Sequence, residues 1–279
     1  DFSGRTIAVA EGDTLDLGSR KLQFIMAPMI HWPEVMMSYD AAEGILFSAD
    51  AFGKFGALSR TGGLQGVSLQ VWRSEARRYY FNICGKYGPQ VQKLLGKAAA
   101  LDIRMICPLH GPVLDSDPAG AMKLYGIWSS YAPETSGVLI AHASIHGGTA
   151  VAAEKLARML EESGVKVSVR DLCRCGISYA VSDAFRYDRV VLAASSYDAG
   201  LFPPMYDFLH HLQIMNWQKR KVAVIENGSW APTAGKAMID MLSAMKEVEL
   251  VGDKVTIRST LHKTDIPALE ALTKAIRGI

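Results

Sequence analysis

The sequence predicts an α+β domain over residues 1–132, followed over 137–279 by an α/β domain built on a doubly wound, five-stranded parallel sheet. Three observations predict this. In the opening half short strands come first and helices follow. After Gly137 strands and helices alternate, the pattern of a parallel sheet. Between the halves, Tyr131-Ala-Pro-Glu-Thr-Ser-Gly137 has the composition of a linker. A chain of 279 residues suits two domains at ~100–200 residues each.

In order along the chain, Thr6–Ala10, Lys21–Met26, Val35–Tyr39 and Gly44–Ser48 read as strands, each a short apolar run bounded by turn residues. From Gln70 to Leu101 the apolar residues fall at helical spacing, interrupted at Gly85–Pro89. A buried strand, Ile103–Cys107, then runs into Pro108-Leu-His-Gly-Pro112. In the second half, strands are expected at Val138–Ala141, Lys166–Leu172, Arg189–Ala194, Lys221–Glu226 and Glu247–Leu250, the last extending to Ser259. Helices are expected at Thr149–Ser163, near Asp183, and at Pro204–Trp217, Thr233–Met245 and Asp265–Ile276.

Composition narrows the function. A net charge of +2 without a basic block leaves no electrostatic footprint for nucleic acid or an acidic membrane surface. No apolar run reaches the ~20 residues of a membrane span, and the first residues do not resemble a signal peptide. A soluble, cytoplasmic protein acting on small molecules is the expectation. The four cysteines, Cys84, Cys107, Cys173 and Cys175, form no disulfide framework and read as free thiols.

In doubly wound sheets ligands sit beyond the carboxyl ends of the strands, where strand order reverses. The loops after the first, third and fourth strands of the second half are therefore the ones to read. The first, Ser144-Ile145-His146-Gly147-Gly148-Thr149, opens a helix. Its hydroxyls, its glycine N–H groups and the helix terminus suit a phosphate. It is neither a Walker motif nor a GxGxxG fingerprint. The second carries Ser195, Ser196, Tyr197, Asp198, Ala199 and Gly200; the third carries Asn227, Gly228, Ser229, Trp230 and Gly235. Tyr197 and Trp230 could flank a flat ring system while loop N–H groups reach its polar edge.

Five segments together carry a resemblance: His31-Trp-Pro-Glu34, Leu46-Phe-Ser-Ala-Asp-Ala-Phe-Gly53, Pro108–Pro112, Gly200–Pro204 with Phe208–Leu212, and Glu226–Trp230. Over nearly its whole length the chain resembles the flavodiiron proteins, or A-type flavoproteins, which join a metallo-β-lactamase-like domain to a flavodoxin-like one. The first phosphate loop departs from the usual flavodoxin pattern at His146 and Gly148.

The resemblance implies FMN in the second domain and two non-haem irons in the first, with His31, Asp50 and His110 as metal ligands and Asp50 bridging. It implies reduction of dioxygen to water or of nitric oxide to nitrous oxide. Electrons would come from a donor such as rubredoxin or a reductase, within a head-to-tail homodimer. The family's upstream His-x-Glu-x-Asp-His segment has no counterpart here, so the chain is expected to hold the C-terminal half of the lactamase-like domain and to be inactive alone. Two other readings stand beside this one. A flavodoxin-type electron carrier with a structural lactamase remnant is the first, and a zinc hydrolase of the β-lactamase superfold is the second.

Overall fold

A computed structural model describes residues 3–58 and 68–278, which divide into two compact units, 1–130 and 131–279.

The first unit opens with a meander. Strands β1 (Thr14–Asp16), β2 (Lys21–Met26), β3 (Met36–Asp40) and β4 (Ile45–Phe47) pair antiparallel in sequence order. Helices α1 (Leu69–Ile83) and α2 (Gly88–Ala98) then carry the chain to β5 (Met105–Cys107), which joins β4 in parallel. A parallel neighbour needs such a crossover, and the helical spacing between Gln70 and Leu101 supplies it. One expected strand does not form. Thr6–Ala10 joins no sheet among the described residues, and Ile7 stands 70% exposed, because an apolar run becomes a strand only where a neighbour offers it a ladder. Helix α3 (Pro118–Ser129) was not anticipated, although its start is written in the sequence. Asp117 caps the Gly120 N–H at 2.8 Å and Pro118 occupies the first turn.

The core of this unit is aromatic. Trp72, Tyr80, Phe81, Tyr125 and Trp128, from α1 and α3, are almost completely buried against one another. The cluster reaches the segment after β4: the Tyr125 hydroxyl accepts from the Phe52 N–H at 2.6 Å, and Trp72 Nε1 donates to the Phe52 carbonyl at 3.0 Å.

The second unit runs β6 (Thr135–Ala143), α4 (Gly148–Glu162), β7 (Val167–Asp171), α5 (Ile177–Arg186), β8 (Tyr187–Tyr197), β9 (Gly200–Leu201) and α6 (Pro203–Ile214). It continues with β10 (Arg220–Asn227), α7 (Ala234–Ser243), β11 (Val248–Leu250), β12 (Val255–Ile257) and α8 (Ile266–Arg277). The parallel sheet has the order β7-β6-β8-β10-β11, with β12 also on β10 and the short β9 antiparallel to β8. Counted by position the order is 2-1-3-4-5, whose reversal lies between β6 and β8. The fifth position is two short strands, divided at Gly252 with φ +67. Alternate residues of the strands, among them Val138, Ile140, Val191, Ala193 and Ile225, form a core with α4 and α8.

The segment read as a linker belongs to this unit. Tyr131 is buried, the Glu134 N–H donates to the Arg186 carbonyl at 2.9 Å, and β6 begins at Thr135. Its turn-like composition reflects a chain entering the sheet. Among the described residues no helix is long and apolar enough to cross a membrane.

Candidate functional site

The carboxyl end of the second sheet carries a cavity of about 480 Å³, inside the size range of small-molecule sites. Its walls come from the segments after β6, β8, β10 and β12. Ser144, Ile145, His146 and Gly148 form the first wall, Ser195–Ala199 the second, Asn227–Trp230 the third. Gly147 is the N-cap of α4 at φ +90, a conformation that favours glycine, and its N–H donates to Ser144 Oγ at 3.1 Å. This turn aims the α4 N-terminus at the cavity, where its free N–H groups favour an anion.

Four residues expected at the cofactor stand behind the walls and hold them. Gly147 shapes the turn. Thr149 is fully buried and its hydroxyl is 2.9 Å from that of Ser195, which ties the first segment to the second. Gly200 pairs with Tyr197 across a two-residue hairpin whose central residues, Asp198 and Ala199, have φ +48 and +55. Gly235 donates its N–H to Glu226 Oε2 at 2.8 Å, an approach that a Cβ would obstruct.

Two side chains knit the second and third segments. Ser196 Oγ accepts from the Thr233 and Ala234 N–H groups at 2.8 and 3.1 Å, capping α7 from another strand. Buried Glu226 accepts from Gly235, from the Thr256 hydroxyl at 2.8 Å and from Lys254. Burial opposes its ionisation, but the bonds from Lys254, Gly235 and Thr256 outweigh it and hold its carboxyl below the ordinary value. Against this fixed frame Tyr197 is 51% and Trp230 87% exposed. Large aromatic rings left that open on a rigid rim are free to cover a ligand. The wall after β12, formed by Ser259, was not anticipated. Its signal was positional: the fifth strand also ends at this edge of the sheet.

His142, near the end of β6, is buried with Nδ1 unpaired among the described residues. Burial pushes its imidazole below the ordinary 6.5 against the attraction of Asp171 and Glu154. The folded chain therefore keeps His142 neutral where the unfolded chain binds a proton. Its contribution to stability is present above about pH 6.5 and is lost as pH falls below that. Denaturation midpoints should drop on acidification from about pH 7 to 5, and His142→Leu should flatten the drop. An unchanged slope would assign the titration to another group.

In the first unit, β4 and β5 are parallel neighbours, so the segments that leave them emerge side by side. They are stitched by Leu109 N–H to the Ala49 carbonyl at 2.8 Å and Lys54 N–H to the His110 carbonyl at 3.0 Å. Asp50 and His110 ride on these segments, and His31 comes from the β2–β3 connection. The three meet: His31 Nε2 lies 3.5 Å from Asp50 Oδ2, and His110 Nε2 lies 3.2 Å from Asp50 Oδ1. Each carboxylate oxygen faces one imidazole, the arrangement a bridging carboxylate requires. Among the described residues no group of three or more His, Cys, Asp or Glu converges on one point that could hold a metal ion. Imidazole and carboxylate are donor types that suit metal ions, and here one imidazole stands beside each oxygen of the carboxylate. Beside it, Lys54, Phe55, Tyr79 and His110 line a cavity of about 550 Å³. Burial, with the negative charge of Asp50, pushes the Tyr79 phenol above its ordinary range.

Together these features define a class of protein, a lactamase-like unit carrying an Asp-bridged histidine pair joined to a flavodoxin-type parallel sheet with a ligand cavity. Residues 3–111 match the family described as ODP family beta lactamase. The anaerobic nitric oxide reductase flavorubredoxin of Citrobacter koseri is 26% identical over 278 residues, 97% of this chain and 56% of that one. An uncharacterized protein of Methanocaldococcus jannaschii is 28% identical over 206 residues, 74% of this chain and 52% of that one. The chain thus spans about half the length of the curated relatives it matches. In fold it is similar to rubredoxin oxygen:oxidoreductase of Desulfovibrio gigas, with a TM-score of 0.88 at 23% identity, over 98% of this chain and 69% of that one. The flavodiiron protein of Giardia intestinalis gives a TM-score of 0.86 at 21% identity, over 98% and 68%. In sequence the chain is similar to the two curated relatives at 26–28% identity, and in fold it is similar to flavodiiron proteins.

Proposed function

We propose that this chain is the FMN-binding, electron-delivering part of a flavodiiron-type oxidoreductase that reduces dioxygen, nitric oxide or both. The carrying observation is the cavity at the strand-order reversal, with a phosphate-type turn at one end and two open aromatic rings on its rim. The names of the relatives, a nitric oxide reductase flavorubredoxin and a rubredoxin oxygen:oxidoreductase, support the reaction class and a rubredoxin-like donor.

The residues present fit FMN. Ser144 and the N–H groups at the start of α4 would hold its phosphate, and Tyr197 and Trp230 would bracket its ring. The Asn227–Trp230 segment would meet the ring's polar edge. FMN supplies reversible electron storage, and iron at Asp50 supplies a site for a diatomic ligand. The chain's own part is to orient the ring, exclude water from its faces and keep the Asp50 carboxylate between His31 and His110. Delivery from the flavin of one copy to the metals of a second, in a homodimer, accords with this division of labour.

Purified protein should be yellow, and flavin released by acid should run on chromatography as FMN. FAD, or failure to bind added FMN, would remove the assignment. Trp230→Ala should weaken FMN binding by on the order of 1 kcal/mol and shift the flavin spectrum; unchanged affinity and spectrum would place the indole away from the ring.

A second reading is supported by the incomplete donor set around Asp50: the second unit acts as an electron carrier and the first is structural. Iron analysis with an oxygen-consumption assay separates the two. Zinc without flavin would instead support a hydrolase.

A further inference from the structure

Asn227 ends β10 and is only 6% exposed, where an amide needs partners on both of its ends. It finds them after β12. The Ser259 N–H donates to Asn227 Oδ1 at 3.0 Å, and Asn227 Nδ2 donates to the Ser259 carbonyl at 3.1 Å. The side chain thus pairs with both main-chain groups of one residue, as a neighbouring strand would. Two further bonds extend the seam, Gly228 N–H to the Ile257 carbonyl at 3.2 Å and Ser259 Oγ to Ser229 Oγ at 3.0 Å. Ser259 has φ +64, a left-handed conformation that residues with side chains adopt where their surroundings impose it.

On its other side this segment presses on the phosphate-type turn. A Cβ at Gly148 would stand 2.0 Å from the Ser259 carbonyl oxygen and 3.1 Å from Asn227 Nδ2. Gly148 is not in the left-handed region, so space and not conformation demands glycine there. The first and fourth walls are in contact with no room for a side chain between them. Ser259 therefore fills the space beside the α4 N-terminus, and its carbonyl oxygen offers a negative end to any further phosphate.

We infer that Asn227 is a positioning residue that seats Ser259 as a wall at the phosphate end of the cavity, and that this wall selects a flavin ending in a monophosphate over one continuing into a pyrophosphate. The inference rests on the FMN reading above and assigns its selectivity to named residues. Neither side chain has to touch the isoalloxazine ring for this to hold.

The test is the ratio of FAD to FMN dissociation constants, measured by fluorescence quenching on the whole chain stripped of flavin. Asn227→Ala removes the seam, while Gly148→Ala wedges the same wall from the opposite side. The parent should prefer FMN, and both variants should narrow that preference by at least about tenfold. Riboflavin, which lacks the phosphate, reports the ring end of the cavity: both variants should shift the FAD-to-FMN ratio by more than they change riboflavin affinity, whereas general loosening of the fold would weaken all three flavins alike. If Asn227→Ala fails to fold, Asn227→Asp still reports, because it keeps the acceptor for the Ser259 N–H and loses only the donor to the Ser259 carbonyl. Folded variants with the parent's FAD-to-FMN ratio would overturn the selectivity assignment while leaving the FMN reading intact. A parent that binds neither flavin would overturn both.

Discussion

A polypeptide of these 279 residues, supplied with ferrous iron, should retain substoichiometric metal, and its Asp50→Asn variant should retain none at this centre. The first expectation is a ligand count. Each Asp50 oxygen faces one imidazole, so each metal would have one histidine and a shared carboxylate. Non-haem iron sites of the two-histidine, one-carboxylate kind draw on about three protein ligands. The second follows from sharing, because removing the bridge costs both metals a donor and the negative charge that holds them. FMN binding should be the same in parent and variant, since Asp50 and the flavin cavity belong to different units. Turnover with oxygen or nitric oxide by this polypeptide alone should not exceed that of free reduced flavin. Metal analysis and a reductase assay decide the matter. Two irons per chain with rapid turnover, or iron kept by Asp50→Asn, would show the count to be wrong.

Arg220→Met should destabilise the second unit by about 3–5 kcal/mol, because several buried carbonyls lose a charged donor at ~1–3 kcal/mol each. Arg220 is 1% exposed, at the end of β10 remote from the cavity. Its guanidinium donates to the carbonyls of Tyr131 at 2.7 Å, Gln218 at 3.0 Å, Lys219 at 3.1 Å and Phe185 at 2.5 Å. Burial lowers its pKa to about 10, so it is still charged at neutral pH. Methionine fills similar volume but offers no donor, leaving those carbonyls to lose their bonds. Arg220→Lys should recover only part of the loss, because a single ammonium cannot reproduce the planar fork. Trp217, three residues earlier in the chain and 1% exposed, reports the unfolding by fluorescence. A loss below about 1 kcal/mol would mean that water reaches these carbonyls in the variant.

Arg220 also explains why the segment from Tyr131 to Glu134 could not be read from composition. Alanine, proline and glutamate in a row look like a linker by any local measure. The segment belongs to the second unit because its carbonyl meets a cation 89 residues further along the chain. Thr6–Ala10 shows the opposite case, an apolar run that joins no sheet among the described residues. Both are decided by long-range neighbours, which local pattern does not contain.

By itself the sequence determined the alternation that builds a parallel sheet, the crossover helices between β4 and β5, and the loops at the sheet's carboxyl end. It did so because apolar periodicity and turn residues act over a few positions and encode which face of each element is buried. It also determined the residue types able to bridge metals or cradle a phosphate. Only the tertiary structure decided which of those residues face the cavity and which stand behind it. Thr149 and Gly235 fall behind because their hydrogen bonds go to Ser195 and Glu226, on other strands. Ser259 entered the site for the same reason, since its place is set by the amide of Asn227, 32 residues earlier, and a single sequence does not record which distant polar groups satisfy one another.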